Sequence, residues 1–155
     1  MEPLPVQPRG PGIWIGSWGS AAGMRRVVRL GDGWLASAYN TDPGKFRAGL
    51  AALRAALDDA DRSSEAFPNG IATMWPYVTK DRARASRILE EVLAPMLRRD
   101  VNDLRDLLPI GPADHCASVL QAYSDAGAER VFIWPLQDER DQLEVFRRDV
   151  FEQIK

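Results

Sequence analysis

Four short apolar runs punctuate the chain, at residues 13–15, 33–38, 71–78 and 130–134. They lack regular alternation with polar residues, which is typical of strands buried on both faces of a parallel sheet. Pro76 lies inside the third run and predicts a strand end or a bulge there, because proline cannot donate to a β-ladder.

Between these runs, apolar residues recur at helical spacing. The spacing predicts helices over 21–30, from Pro43 to about 61, over 80–97, from Pro112 to 127 and over 139–155. Residues 98–110 fit a short helix or an inserted loop. Three prolines within residues 1–10 predict an extended arm. Alternating strands and helices indicate βα units around a parallel sheet in a single domain of 155 residues.

Charge and composition exclude several classes of function. The 22 acidic and 20 basic residues give a net charge of -2, which supplies no basic surface for nucleic acid. Cys116 is the only cysteine, so neither an intramolecular disulfide nor a cysteine-rich metal site is expected. No segment approaches the roughly 20 apolar residues of a membrane span. We therefore expect a soluble cytoplasmic protein that contacts neither membrane nor nucleic acid.

Three ordered stretches carry the most specific pattern. The first joins PVQP (5–8), GIWIG (12–16) and RLGDGW (29–34); the second joins LPIG (108–111) and YSDAGA (123–128); the third is WPL (134–136) with DE (138–139) and QL (142–143). In this order the set resembles the luciferase-like monooxygenases and the deazaflavin-dependent reductases that share their barrel. The resemblance covers almost the entire chain but only the later half of a family member.

The resemblance implies an α/β fold, a partial (β/α)8 TIM barrel with about four C-terminal βα units, because a closed barrel takes about 250 residues. It also implies an oxidoreductase or monooxygenase that uses reduced flavin, as FMN, or a deazaflavin coenzyme to act on a small organic substrate. The alternative is a catalytically incomplete half-barrel that serves as a structural or assembly subunit and has no cofactor of its own.

The turn after the first predicted strand is the candidate cofactor site. Its residues are Gly16, Ser17, Trp18, Gly19 and Ser20. Glycines allow close approach of an anion, and the N-terminus of the following helix, with the serine hydroxyls, provides donors. The same residues also suit an ordinary helix cap at Ser20. Both interpretations remain open from the sequence, and the resemblance favours a cofactor phosphate.

Other candidates lie at the ends of later strands. Ser37 is a predicted cofactor contact, and the loop of Tyr39, Asn40 and Thr41 follows it at the barrel face that usually carries ligands. Aromatic residues end other strands and suit either a flavin-sized pocket or the core: Trp75 and Trp134, each followed by proline, with Trp14 and Trp18 flanking the first turn.

The sequence leaves the catalytic residues unknown and offers no metal site. His115 and Cys116 are adjacent in a predicted helix, so their side chains point about 100° apart and do not converge. We expect Cys116 to be a small core residue. Asp32, Gly33 and Trp34 favour a structural turn followed by a core position.

The first and last predicted strands form the two edges of the expected sheet. Neither run contains a charge between its ends, and unprotected edge strands recruit other chains. We therefore expect either a homodimer or a complex with a separate N-terminal half-barrel subunit.

Overall fold

A computed structural model describes residues 6, 7 and 10–155, so most of the arm predicted for residues 1–10 lies outside the described residues. The first half of the chain forms β1 (Trp14–Gly16), α1 (Ala21–Leu30), β2 (Gly33–Ser37), α2 (Pro43–Asp58), β3 (Asn69–Met74) and β4 (Tyr77–Val78). The second half forms α3 (Arg82–Arg87), a π-helical segment (Ile88–Leu93), α4 (Ala94–Leu97), α5 (Val101–Leu107), β5 (Ile110–Gly111), α6 (Ala113–Asp125), β6 (Val131–Ile133), α7 (Glu139–Val145), a second π-helical segment (Phe146–Val150) and a 3₁₀ turn (Phe151–Gln153).

The main sheet has the strand order β1-β2-β3-β6, and all its pairs are parallel. This confirms the predicted βα architecture, and β1 and β6 are the two edges as expected. The run 71–78 divides before Pro76, since β3 ends at Met74. The remainder, β4, pairs in parallel with β5 in a separate two-stranded sheet that the sequence did not predict.

Side-chain caps set where several helices begin. Ser20, Asp42, Asp81 and Asp100 each accept a backbone N–H from the first turn of α1, α2, α3 and α5, respectively. The cap at Asp100 explains why residues 98–110 contain a short helix rather than only a loop. The helix predicted over 80–97 forms from Arg82 to Leu97, but its middle six residues are wound as a π-helix.

One face of the main sheet packs against α1, α2 and α6. Trp34 on β2 stacks on Phe46 of α2 with ring centroids 4.9 Å apart, and Phe46 meets Tyr123 of α6 edge-on at 6.2 Å. The Tyr123 hydroxyl donates to the carbonyl of Thr41 at 3.2 Å. This face therefore holds the hydrophobic core, and Trp34 is a core residue as predicted.

The opposite face of the sheet is covered by two aromatic rings from its edge strands. Trp14 on β1 and Phe132 on β6 meet edge-on across the two central strands, with centroids 6.2 Å apart. Gly33 and Gly70 lie beneath them: a Cβ at Gly33 would be 2.7 Å from the Trp14 ring, and one at Gly70 would be 3.3 Å from Phe132. The glycines thus let the edge side chains reach each other.

The polar residues of the C-terminal motif fasten α7 to the rest of the fold. Asp138 accepts hydrogen bonds from the Tyr77 hydroxyl and from Arg84, both at 3.0 Å. The Arg84 guanidinium also lies over the Tyr77 ring, 4.9 Å from its centroid. The motif at 134–143 therefore has a structural role at its acidic end.

Candidate functional site

The turn after β1 is held in place by β2. The Ser17 N–H donates to the carbonyl of Leu35 at 3.0 Å, and the Ser17 carbonyl accepts from the Trp34 indole N–H at 3.1 Å. Both backbone groups of Ser17 are thus anchored to residues of the GDGW stretch and the strand that follows it. The turn is positioned before any ligand arrives.

The serine hydroxyls of this turn accept hydrogen bonds from its own backbone. Ser20 Oγ accepts from Gly23 N at 3.2 Å, which makes Ser20 the N-cap of α1, and Ser17 Oγ accepts from Gly19 N at 3.4 Å. The cap that the sequence suggested is therefore present. Within the described part of the chain, neither hydroxyl donates its proton, so both protons can serve an acceptor on a ligand.

A cavity of about 360 Å³ opens at the turn, lined by Gly16, Ser17, Trp18, Ser20 and Arg26. Trp18 is 70% exposed at its rim. Arg26 of α1 is one of the lining residues, so the lining combines a positively charged residue with hydroxyl donors. Sequence reasoning missed Arg26, because an arginine on an amphipathic helix gives no signal that separates it from a solvated one.

Ser37 ends β2, and its hydroxyl is engaged by β3. Its Oγ lies 3.0 Å from Thr73 Oγ1. Thr73 donates its single hydroxyl proton to the carbonyl of Ala72 at 2.6 Å, so Ser37 is the donor in the pair. Ser37 therefore offers a ligand only lone pairs, which suit an N–H or O–H group rather than a phosphate oxygen.

An aromatic row crosses the carboxyl ends of β2, β3 and β6. Tyr39 and Trp75 have ring centroids 5.6 Å apart, and Trp75 and Trp134 are 6.0 Å apart. Trp134 is 48% exposed, so the row borders open space. Trp14, in contrast, lies at the start of β1 and packs edge-on against Phe132.

One buried polar group in the loop after β2 lacks a partner. The Asn40 side-chain nitrogen is buried, and no acceptor among the described residues binds it. A buried donor left without an acceptor costs about 1–3 kcal/mol. Asn40 therefore carries a donor that a ligand can satisfy, next to the aromatic row.

His115 and Cys116 do not form a reactive pair. His115 Nε2 lies 3.3 Å from the Leu108 carbonyl, whereas the Cys116 thiol faces the carbonyl of Gly111 at 3.6 Å. Burial raises the pKa of Cys116 to about 12, so the thiol stays protonated. Cys116 is fully buried and is a core residue, as predicted.

The described residues provide neither a metal-binding cluster nor a membrane-spanning helix. They contain no group of three or more His, Cys, Asp or Glu side chains placed to hold a metal ion. None of the helices formed by residues 10–155 is both long and apolar enough to cross a membrane.

A larger concavity of about 530 Å³ lies between α1 and α2, on the helix side and away from the strand ends.

The family of the chain follows from comparison with family models. The model for luciferase-like monooxygenases matches residues 2–153. The chain belongs to the luciferase-like monooxygenase family. The match spans all three stretches on which the resemblance rested, and no curated protein matches the sequence.

Solved structures of similar fold include two F420-dependent enzymes and a monooxygenase. An F420-dependent secondary alcohol dehydrogenase, solved with an F420-acetone adduct, is 12% identical with a TM-score of 0.74, over 93% of this chain and 49% of its own. The coenzyme F420-dependent tetrahydromethanopterin reductase of Methanopyrus kandleri is 13% identical with a TM-score of 0.66, over 93% and 51%. The EDTA monooxygenase of Chelativorans sp. BNC1 is 18% identical with a TM-score of 0.65, over 96% and 45%. The luciferase-like chain thus spans about half the length of these relatives.

Proposed function

We propose that this luciferase-like chain is the cofactor-binding half of a flavin- or deazaflavin-dependent oxidoreductase, with the cofactor phosphate at residues 16–20. One observation carries the proposal: two serine hydroxyl protons, the N-terminus of α1 and the Arg26 guanidinium border one cavity at the carboxyl end of β1. A helix N-terminus stabilises an anion through its free N–H groups and its dipole.

The neighbouring strand ends suit the ring of such a cofactor. A flavin or deazaflavin ring is flat and apolar on its faces, as a row of Tyr39, Trp75 and Trp134 requires. Its pyrimidine edge presents both N–H and C=O groups. Ser37 offers an acceptor and Asn40 an unsatisfied donor, so this chain supplies complementary partners for each kind of group.

The chemistry belongs to the cofactor, and the chain supplies binding and shelter from water. When bound and reduced, a flavin or deazaflavin supplies a hydride, or electrons for oxygen insertion, toward a small organic substrate. The similar structures include a dehydrogenase and a monooxygenase, so the proposal covers both reactions. We assign no side chain of this chain as general acid or base. Trp75 and Trp134 would hold the ring of a bound cofactor and exclude water from it.

The proposal is tested by comparing FMN with riboflavin, which differ only in the phosphate. Flavin fluorescence titration of the purified protein should give tighter binding of FMN by about tenfold, or about 1.4 kcal/mol. Arg26→Gln should remove most of that difference while leaving riboflavin affinity unchanged. Arg25→Gln is the matched control, because Arg25 is adjacent in α1 but does not line the cavity at the turn.

Two outcomes oppose the proposal. Equal affinity for FMN and riboflavin in the wild type would remove the phosphate from the turn. Failure to bind FMN, riboflavin or a deazaflavin at all would favour the assembly-subunit alternative, in which the half-barrel has no cofactor of its own.

A further inference from the structure

The two edge strands of the main sheet present complementary backbone groups that have no partner among the described residues. The Ile13 carbonyl accepts from the N–H of Asp32, just before β2, and the Ser17 N–H donates to Leu35 of β2. By alternation, Trp14 and Gly16 direct their own N–H and C=O groups outward. The Arg130 carbonyl and the Trp134 N–H bond to β3, so Val131 and Ile133 face outward in the same way. Each edge can therefore form a short parallel ladder with a further strand.

Exposed apolar side chains gather at these same edges. Ile13 and Trp18, which flank β1, are 58% and 70% exposed. Phe132 within β6 and Trp134 just after it are 43% and 48% exposed. Natural edge strands are normally protected by charges or proline, and neither β1 nor β6 contains either. Both edges therefore have the features of strands that pair with a further strand.

We propose that a second copy of this chain covers the open sheet and that the two copies close an eight-stranded parallel barrel. Four parallel strands are half of such a barrel, and its twofold axis would run along the barrel axis. That axis places β6 of each copy beside β1 of the other, with the strands parallel. Both joints are then identical, and neither edge remains open.

The outward-facing groups limit the register of each joint to shifts of two residues. We place Ile133 opposite Ile15 of the second copy, where its N–H meets the Trp14 carbonyl and its carbonyl meets the Gly16 N–H. Ile15 and Ile133 both pack against the helix-side core in one chain. The register therefore preserves the inward and outward alternation of side chains around the barrel.

The interior of the closed barrel has room for side chains from a second copy. An eight-stranded barrel fills its interior with side chains from all of its strands. Trp14 and Phe132 supply two large rings from the edge strands of this chain, and Gly33 and Gly70 beneath them supply no side chain. A second copy contributes the same two rings to the other half of the interior.

The dimer goes beyond the proposed function, because it concerns assembly. Its formation can be measured without any cofactor. Sedimentation velocity at micromolar concentration should show a dimer for the wild type. Phe132→Lys places a charge inside the closed barrel and should weaken dimerisation by at least about tenfold. Met96→Lys is the matched control, since Met96 is 54% exposed at α4, and this variant should remain dimeric.

A pair of cysteines tests the joint without relying on a destabilising charge. In a Cys116→Ala background, Gly16→Cys and Trp134→Cys would lie opposite each other between copies. Within one chain they sit on edge strands three strand spacings apart, about 14 Å, which no disulfide can bridge. A Cβ at Gly16 meets no atom within 4 Å, so this substitution is tolerated.

Oxidation of the double-cysteine variant should yield a reducible covalent dimer, whereas either cysteine alone should yield none. A monomeric wild type would overturn the proposal and leave the face to a different chain, such as a separate N-terminal half. A covalent dimer of the single Gly16→Cys variant would also overturn it, because that product requires β1 to pair with β1.

Discussion

The side-chain amide of Gln142 pairs with both backbone groups of Val78. Gln142 Oε1 accepts from the Val78 N–H at 2.7 Å, and its Nε2 donates to the Val78 carbonyl at 3.3 Å. The other side of β4 is occupied by β5, so Gln142 closes the remaining edge of this small sheet. With Asp138, it explains the polar positions of the C-terminal motif by contacts to β4 and α3.

Loss of this amide should destabilise the fold. Gln142→Ala leaves two partly buried backbone groups of Val78 without partners, and we expect the free energy of unfolding to fall by about 1–3 kcal/mol. Gln137→Ala, at an exposed position five residues earlier, should change it by less than about 0.5 kcal/mol. Urea denaturation followed by circular dichroism measures both. Equal effects would mean that the pairing contributes nothing.

The inner face of the sheet should show coupling between Gly33 and Trp14. Gly33→Ala introduces a Cβ 2.7 Å from the Trp14 ring, and the resulting overpacking should cost about 1–3 kcal/mol. In a Trp14→Ala background the same substitution should cost little, because the ring is gone. A double-mutant cycle in urea gives the coupling energy. Additive costs would show that another neighbour resists the methyl group.

At position 73 a glycine should be tolerated better than a valine. Its φ of 58° is strained for a β-branched residue, yet its hydroxyl accepts from Ala38 N at 3.1 Å and from Ser37. Thr73→Val keeps the strain and loses the hydroxyl, whereas Thr73→Gly loses the hydroxyl but relieves the strain. We expect the glycine variant to be more stable than the valine variant by about 1–3 kcal/mol in thermal or urea unfolding. The reverse order would show that the strain is absent.

Cys116 should make stability fall at alkaline pH. Burial raises its pKa from 9.0 to about 12 in the folded chain, so above pH 9.0 the unfolded thiol loses its proton first. The folded state then binds more protons, and the free energy of unfolding falls by up to about 1.4 kcal/mol per pH unit until the folded thiol titrates. Below pH 9.0 this contribution is fully present. Urea unfolding of the wild type and Cys116→Ala at pH 8 and pH 10 isolates it, and parallel pH profiles for the two proteins would contradict the assignment.

The regular elements could be predicted because local patterns determine them. Helix α1 forms over the predicted residues, since Ser20 caps it and its apolar residues keep one face. The β4–β5 sheet could not be predicted in the same way. Tyr77 pairs with Ile110 from 33 positions away, and a two-residue strand carries no periodic signal.

Local sequence signals likewise predict one part of the candidate site and not the rest. The turn at residues 16–20 could be predicted because glycines and serines before a helix are a local signal. Arg26 and the unsatisfied amide of Asn40 emerge only when neighbouring elements fix where side chains lie. The strained Thr73, which engages the Ser37 hydroxyl, likewise results from pairing between β2 and β3.

An NMR titration of the ¹⁵N-labelled protein with FMN tests directly whether the turn at residues 16–20 binds the cofactor phosphate. We expect saturable shifts of the Gly19 and Ser20 amides and of the Trp34 indole N–H, which donates to the Ser17 carbonyl. Riboflavin should move these signals far less, and the Lys45 amide at the start of α2 should stay unchanged with either ligand. Shifts confined to the groove between α1 and α2, or equal shifts with riboflavin, would contradict a cofactor phosphate at the β1–α1 turn.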